Sequence, residues 1–537
     1  MVRARSVDLA LGRGVHLGEL TAVLADRYGD RPAVEEPTGT PGFDHGSTRS
    51  YRDLEDAVAR LAAALAARGH GAGQRVLVMV DNRIDVALQL FALARIGAVP
   101  VPVNHRLTGG ELEAITTATG AVAAVADAAV TERLPRSLEV MTAEQLGAEL
   151  CAEPDRRTLA RRGGDADAVV VLLTTSGTTG APKAAALTSR GLLSSLGPLV
   201  AAPVGWGWGP RAGRDRVFAA LPLTHVMGLS TLLGALSAGV PLSRRERFDA
   251  SEALRTIETE RPNVVVAVPT MYADLERAGA AEHDLSSVQL WVSSADAMPT
   301  DRARRFQRYG AVARLGRRSV GGAAFVDVYG MVELSGAAAV RVFPPSPVRS
   351  LTLPSFAAAL PGIEVRAVDG DGRPVPSGTI GELQWRGPGV LEGYEGRAGE
   401  GLERDGWFAS GDQARVWPGG IFSFAGRSKD RLKVGGFSVF PAEVEEQLRQ
   451  APGVEDLAIV GIPDDRLGDR LVAVVVPGRS FDEGGFLAWA KERIAGYRRP
   501  STVVEVEQLP RGPNGKIDRA AATELARGEL EPTDDRR

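Results

Sequence analysis

Residues 76–103 read VLVMVDNRIDVALQLFALARIGAVPVPV. Val76–Val80 is an uninterrupted apolar run of the length of a buried strand. Asn82–Ile96 repeats its apolar side chains at helical spacing and is closed by Gly97, and Val99–Val103 is a second buried strand. Strand, helix and strand in this order make a βαβ unit, which implies parallel pairing.

The same theme extends outward on both sides. Ser50 with Asp53 has the form of a helix N-cap pair, followed by Leu54, Val58, Leu61 and Leu65 at helical spacing. Downstream, strands are expected at Ala168–Leu173, Val217–Ala219, Val264–Val268, Val288–Val292 and Phe325–Val328, with a helix at Val226–Ala238 closed by Gly239. Strand alternating with helix predicts a doubly wound α/β architecture, whose ligands sit beyond the carboxyl ends of the strands. The rhythm changes after about Pro354. Ile363–Val368, a turn at Asp369–Arg373, Gly381–Trp385 and a hairpin over Asp412–Ala425 read as a small antiparallel β unit. A third pattern follows Gly426–Asp430: helices Pro441–Gln450 and Phe481–Ile494 with strands Leu457–Val460, Leu471–Val476 and Val503–Val506 predict a compact α+β module. The domain boundary is placed near Asp430, and the polar tail Arg527–Arg537 is expected to fray.

Composition narrows the function classes. At 537 residues the chain exceeds one ordinary core. No segment reaches the apolar length of a membrane span, and Met1–Asp30 has no apolar run of the kind a secretory leader needs. The single Cys151 excludes an intrachain disulfide and fits a reducing, cytoplasmic location. A formal charge of −4 argues against a protein that coats nucleic acid. Only five of the 63 basic residues are lysines: Lys183, Lys429, Lys433, Lys491 and Lys516. A chain that uses arginine wherever a cation will serve keeps lysine where a compact ammonium on a flexible stem is wanted. All but Lys491 fall in Gly-rich or turn-rich stretches.

The strand at Ala168 runs into TTSGTTGAPK (174–183), a loop of hydroxyls and glycines ending in Lys183. Glycines let backbone N–H groups turn inward, the hydroxyls donate, and the ammonium meets negative charge, which suits a polyphosphate better than an ordinary flexible turn. The glycine-to-lysine spacing differs from a Walker loop, and Ala184 stands where that loop has its magnesium-binding hydroxyl. In VDVYGMVE (326–333) a strand end carries Tyr329, able to stack on a base, and Glu333, able to hold a hard cation. In GWFASGD (406–412) Asp412 could accept ribose hydroxyls, and PRGPNGK (510–516) projects Lys516 from a turn-rich stretch. Singly, packing, a turn aspartate or a solubility lysine would explain each of the last three.

Together and in this order the segments resemble the adenylate-forming superfamily of acyl-CoA synthetases, stand-alone adenylation domains and luciferases, from Tyr51 to Lys516. The resemblance implies a large N-terminal domain, 1–430, of two doubly wound α/β lobes (about 1–350) and a small β-barrel-like subdomain (about 351–430). A small mobile α+β lid, 431–537, follows. It implies that Thr175, Ser176, Gly177, Thr178, Thr179, Gly180 and Lys183 hold the β- and γ-phosphates. Tyr329 would stack on adenine, with Ala295, Asp296, Asp327, Gly330 and Val332 around the nucleotide. Glu333 would hold Mg²⁺, Asp412 the ribose with help from Arg427, and Asp430 would be the hinge. Lys516 would bridge carboxylate and α-phosphate during adenylation, while Lys433 and the Gly435-Gly436 turn would face the pantetheine arm during thioester formation. His225 would gate an acyl pocket lined also by Gly228, Ser293, Ser294 and Met331.

The chain departs from the family pattern at four places. Val332 stands where threonine usually contacts the α-phosphate, Ala184 replaces a glycine, Ser293–Ala297 replaces a Gly/Ala/Pro-type segment, and Gly310–Ala324 is longer and Arg-rich. The resemblance therefore implies an ATP-, Mg²⁺- and CoA-using acyl-CoA ligase for a hydrophobic carboxylic acid. It leaves open attenuated adenylation fed by an acyl-AMP-supplying enzyme, loading of a carrier protein, a luciferase-like use, a nucleotide sensor and a homodimer.

Overall fold

The computed structural model describes residues 15–37, 48–150, 165–176, 182–196, 203–204, 207–208, 211–315, 318–345, 356–403, 405–435, 437–464, 466–512 and 516–530. The βαβ unit forms as expected: strands Arg75–Met79 and Val99–Pro102 run parallel around helix Asp85–Arg95 and join Ala123–Ala126 and Glu139–Thr142 in a four-stranded parallel sheet. Ser50 caps helix Tyr51–Ala67 by accepting from the Asp53 amide, and the Asp53 carboxylate accepts from the Ser50 amide in return.

A second, larger sheet carries the site. Its strands Pro32–Glu35, Leu242–Arg244, Val217–Ala219, Val264–Ala267, Leu290–Ser294 and Ala324–Met331 are all parallel neighbours in that order. From Gly336–Phe343 onward the sheet turns antiparallel. This is the large α/β domain followed by a small α+β domain that the sequence predicts. In the small domain strands Val454–Asp464 and Gly468–Pro477 form the spine of a five-stranded sheet.

Three expectations change, and one segment left unassigned acquires a structure. The strand before the phosphate loop is not part of a parallel unit: Val169–Ser176 folds back on Pro182–Thr188 as an antiparallel hairpin, because the apolar segment after the loop pairs at once and needs no crossover. The β unit closes no barrel among the described residues. Strand Ala357–Ala359 bridges Gly336–Phe343 to Ile421–Arg427, so the antiparallel strands extend the large sheet. The segment 310–324 holds a short hairpin, Ala313–Leu315 with Arg318–Val320. Helix Arg519–Leu530 runs through the start of the supposed tail, held by Ala522 and Ala526, both fully buried one turn apart.

That last helix is anchored beside Lys516 by a buried carboxylate. Glu445, 2 % exposed, accepts from the Ile459 amide at 2.8 Å and from Arg519 Nη1 and Nη2 at 2.5 and 3.0 Å. Removing one partner of such a pair strands the other charge. Glu445→Ala is expected to cost the small domain about 3 kcal/mol, seen as faster amide exchange along Val454–Asp464; unchanged protection there would contradict the anchoring role.

Candidate active site

The carboxyl ends of the parallel strands open into a cavity of about 1540 Å³. Helix Val226–Ala238, the hairpin residues Thr175 and Lys183, and Lys516 from the small domain complete its walls. Two lysines far apart in the sequence thus face one space.

Lys183 is held in place by counter-charge. Its Nζ lies 2.8 Å from Glu400 Oε1 and 5.0 Å above the centre of the Tyr394 ring. The Tyr394 hydroxyl donates to Glu333 Oε1 at 2.9 Å, and Glu333 is only 8 % exposed. Burial and the neighbouring Glu333 push the Tyr394 phenol up, so it stays a donor. No cluster of three or more metal-ligating side chains occurs among the described residues. Glu333 alone suits Mg²⁺ bound mainly through substrate phosphates and water, which is that ion's usual coordination.

Asp412 and Tyr329 form a second unit. Asp412 is 3 % exposed, and the Tyr329 hydroxyl donates to its Oδ2 at 2.5 Å. Arg427 Nε lies 3.2 Å from Oδ1 but off the line of a hydrogen bond, so nothing among the described residues donates to that oxygen. Buried acceptors are normally paired, and a ligand hydroxyl entering beside Arg427 would supply the missing donor. Burial raises the Asp412 pKa, with Arg427 and the Tyr329 hydroxyl pulling it back. One face of Tyr329 is stacked on Trp385, with ring centres 5.1 Å apart at 21°, and Phe422 meets it edge-on at 5.8 Å.

Lys516 keeps one side in water, yet protein closes around the rest of it. Burial and then the Arg427 guanidinium lower its pKa, while Asp296 and Asp412 oppose them. His225 precedes helix Val226–Ala238, and its ring opens into the cavity but is crowded by protein, which lowers its pKa. Gly228 is required by packing, since an added Cβ would overlap the Pro222 carbonyl; at Gly330 it would overlap that of Gly336. Met331, Val332 and Ser294 also face the cavity. So does Ala295, whose φ of 80° is rare for a residue with a Cβ and costs about 1–3 kcal/mol.

Other expected residues lie elsewhere. Ser293 is fully buried, and its hydroxyl has no partner. Asp327 turns away from the cavity to Arg341 Nη2 at 2.9 Å, and burial raises its pKa to about 6. Asp296 is exposed. Lys433 is exposed, with Nζ 3.4 Å from Ser438 Oγ, and it, Gly435 and Asp430 lie off the cavity wall. Asp430 ends the turn Ser428–Asp430 between the two domains, 3.6 Å from Arg519 Nε. Gly177, Thr178, Thr179, Gly180 and Gly436, the Ser176 side chain and Cys151 lie outside the described residues.

Tyr394, Glu400 and Trp385 were not expected from the sequence. Gly393-Tyr394 is a two-residue strand that reaches the site by pairing with Ala185, and nothing local to it signals that pairing.

The chain matches the AMP-binding enzyme family over residues 22–395 and the AMP-binding enzyme C-terminal domain over 443–516. It is 35% identical over 503 residues to a feruloyl-CoA synthase of an Amycolatopsis species, covering 91% of this chain and 96% of that one. An indoleacetate–CoA ligase of Aromatoleum aromaticum is 32% identical over 91% of this chain and 95% of its own. The ATP-bound MatB structure from Rhodopseudomonas palustris superposes with a TM-score of 0.80 at 26% identity, over 96% of this chain and all of that one.

The Tyr329 hydroxyl stabilises the charged form of Asp412, so removing it raises the carboxyl pKa. Tyr329→Phe is therefore expected to move the Asp412 titration, followed by carbon-13 NMR of labelled aspartate, to higher pH. An unchanged or lower value would contradict the pairing.

Proposed function

The chain belongs to the AMP-binding enzyme family and is an ATP-dependent, AMP-forming acid–thiol ligase, and within that activity we propose that it converts a hydrophobic carboxylic acid to its CoA thioester. The supporting observation is that Lys183, Arg427 and Lys516 line one cavity whose other walls are mainly apolar.

In this reading the substrate carboxylate oxygen attacks the α-phosphorus of ATP, the bond to the bridging oxygen breaks, and pyrophosphate leaves. Lys516 sits between carboxylate and α-phosphate and offsets the charge that gathers on both. Lys183 exchanges Glu400 for the outer phosphates, and Asp412 Oδ1 accepts a ribose hydroxyl. Glu333, oriented by Tyr394, would hold Mg²⁺, which neutralises phosphate charge when bound. Neutral His225 leaves the acyl entrance uncharged. The small domain then turns about Asp430 and brings Lys433 and Gly435 to the cavity. The CoA thiol, giving its proton to water, attacks the acyl carbon and AMP departs.

Lys516→Ala is expected to lower acid-dependent ATP–pyrophosphate exchange at least a hundredfold while sparing CoA capture of supplied acyl-AMP; Lys433→Ala should do the reverse. Equal loss in both assays would remove the division of labour. Because the Lys516 pKa is depressed, the ammonium is lost as pH rises through it, so exchange should fall on the alkaline side below the ordinary lysine range near 10.4. An alkaline limb only at or above that range would count against the assignment.

Val332 supports a second reading in which adenylation is attenuated. It faces the cavity with no hydroxyl to donate, and a missing charge-assisted hydrogen bond is worth about 1.5–3 kcal/mol. Val332→Thr should then raise exchange roughly tenfold or more. No gain would show that the chain compensates by other means.

A further inference from the structure

The cavity continues past the lysines as a broad slot between the large sheet and helix Val226–Ala238. One residue from each of five adjacent strands marks its floor: Val217, Val264, Leu290, Val326 and Val342. Four strand spacings make this floor about 19 Å wide, and Val264 and Val266, with Val268 just past the strand's end, carry it about 13 Å in the strand direction. Val342 is 45 % exposed, which is unusual for a valine on a packed sheet.

The roof is cut back to match. Met227, Thr231, Gly234 and Ala238 face the slot at helical spacing. Gly234 is informative because no packing requires it. An added Cβ would meet only a Leu196 methyl at 4.0 Å, whereas at Gly228 on the same helix it would overlap backbone. Glycine is the poorest helix former after proline, so its presence mid-helix, with space beside it, points to room kept for an occupant.

The slot is largely apolar, and several of its polar members are satisfied within the protein. The Thr231 hydroxyl donates to Met227 O, and Asp215 at the far end is taken up by the Arg211 amide and guanidinium. The charged wall residues Glu246 and Arg247 and the imidazole of His105 gather around Asp81 and Asn82, and Asn82 is hydrogen-bonded to Leu221 and Leu223; Asp274, also in the wall, is paired with Arg277 at 2.6 Å.

Resting on the ligase reading above, we infer that the acyl group is a bulky, largely apolar multi-ring system, with Gly234 and Ala238 setting the size limit. A single aryl ring or a thin alkyl chain would leave most of the floor without contacts, and unfilled apolar space forfeits dispersion energy. A rigid fused-ring acid covers a wide, flat floor and loses little conformational freedom on entry.

The test compares kcat/KM for acyl-CoA formation by the full chain with lithocholic, cinnamic and decanoic acids. The four-ring acid is expected to be preferred at least tenfold. Gly234→Leu, and independently Ala238→Leu, should lower the lithocholic-to-cinnamic ratio at least tenfold, with an unchanged melting profile certifying the fold. Preference of the wild type for cinnamic or decanoic acid, or a ratio that neither substitution moves, would overturn the size assignment and leave the ligase activity standing. Turnover of none of the three would overturn the ligase reading and this inference with it.

Discussion

Two carboxylates on one helix decide where the small domain sits. Glu443 reaches Arg415 of the large sheet at 2.6 Å, and Glu446 accepts from Thr300 at 2.6 Å. These contacts seat helix Pro441–Leu448 against the large domain, and Glu445 ties that helix to Arg519. Lys516 lies three residues before Arg519, so the same docking delivers its ammonium to the cavity beside Arg427 and Asp412. Polar, partly exposed contacts of this kind are worth little singly, and a domain held by them can be released. The proposed turn of the small domain needs that property: its interface must order Lys516 and then give way to the face carrying Lys433.

The large domain answers with fixed charge. Lys183, Arg427 and Lys516 would repel one another in an empty cavity. Glu400 covers Lys183 and Asp412 stands 3.2 Å from Arg427. Lys183 and Arg427 are thus each paired with a carboxylate that an incoming phosphate or ribose can displace or share. Tyr394 and Tyr329 donate to Glu333 and Asp412 and fix their orientation. Around these charged groups the sheet supplies an apolar floor of valines and Leu290.

Much of this was legible in the sequence, for reasons that are local. The βαβ unit at 76–103, the Ser50–Asp53 cap and the Gly239 stop depend on neighbours a few residues apart, and all form as read. The scarcity of lysine singles out Lys183 and Lys516, along with Lys429 and Lys433. What was missed depends on distant partners. An apolar strand at 169–176 reads the same whether its neighbour is parallel or antiparallel, and only pairing with 182–188 decides it. Asp327 looked like a nucleotide ligand because its neighbours do, yet the strand's alternation turns it to Arg341. Tyr394 and Glu400 reach Glu333 and Lys183 only through tertiary pairing, so no spacing announces them.

On the proposed mechanism this single chain activates a carboxylate on ATP before any thiol is involved. The most direct measurement is exchange of labelled pyrophosphate into ATP by the wild-type protein with Mg²⁺ and an apolar carboxylic acid, in the absence of CoA. Exchange is expected to require the acid and to be lost on chelating the metal. Exchange independent of the acid, or thioester formation from acid and ATP with no exchange at all, would contradict it.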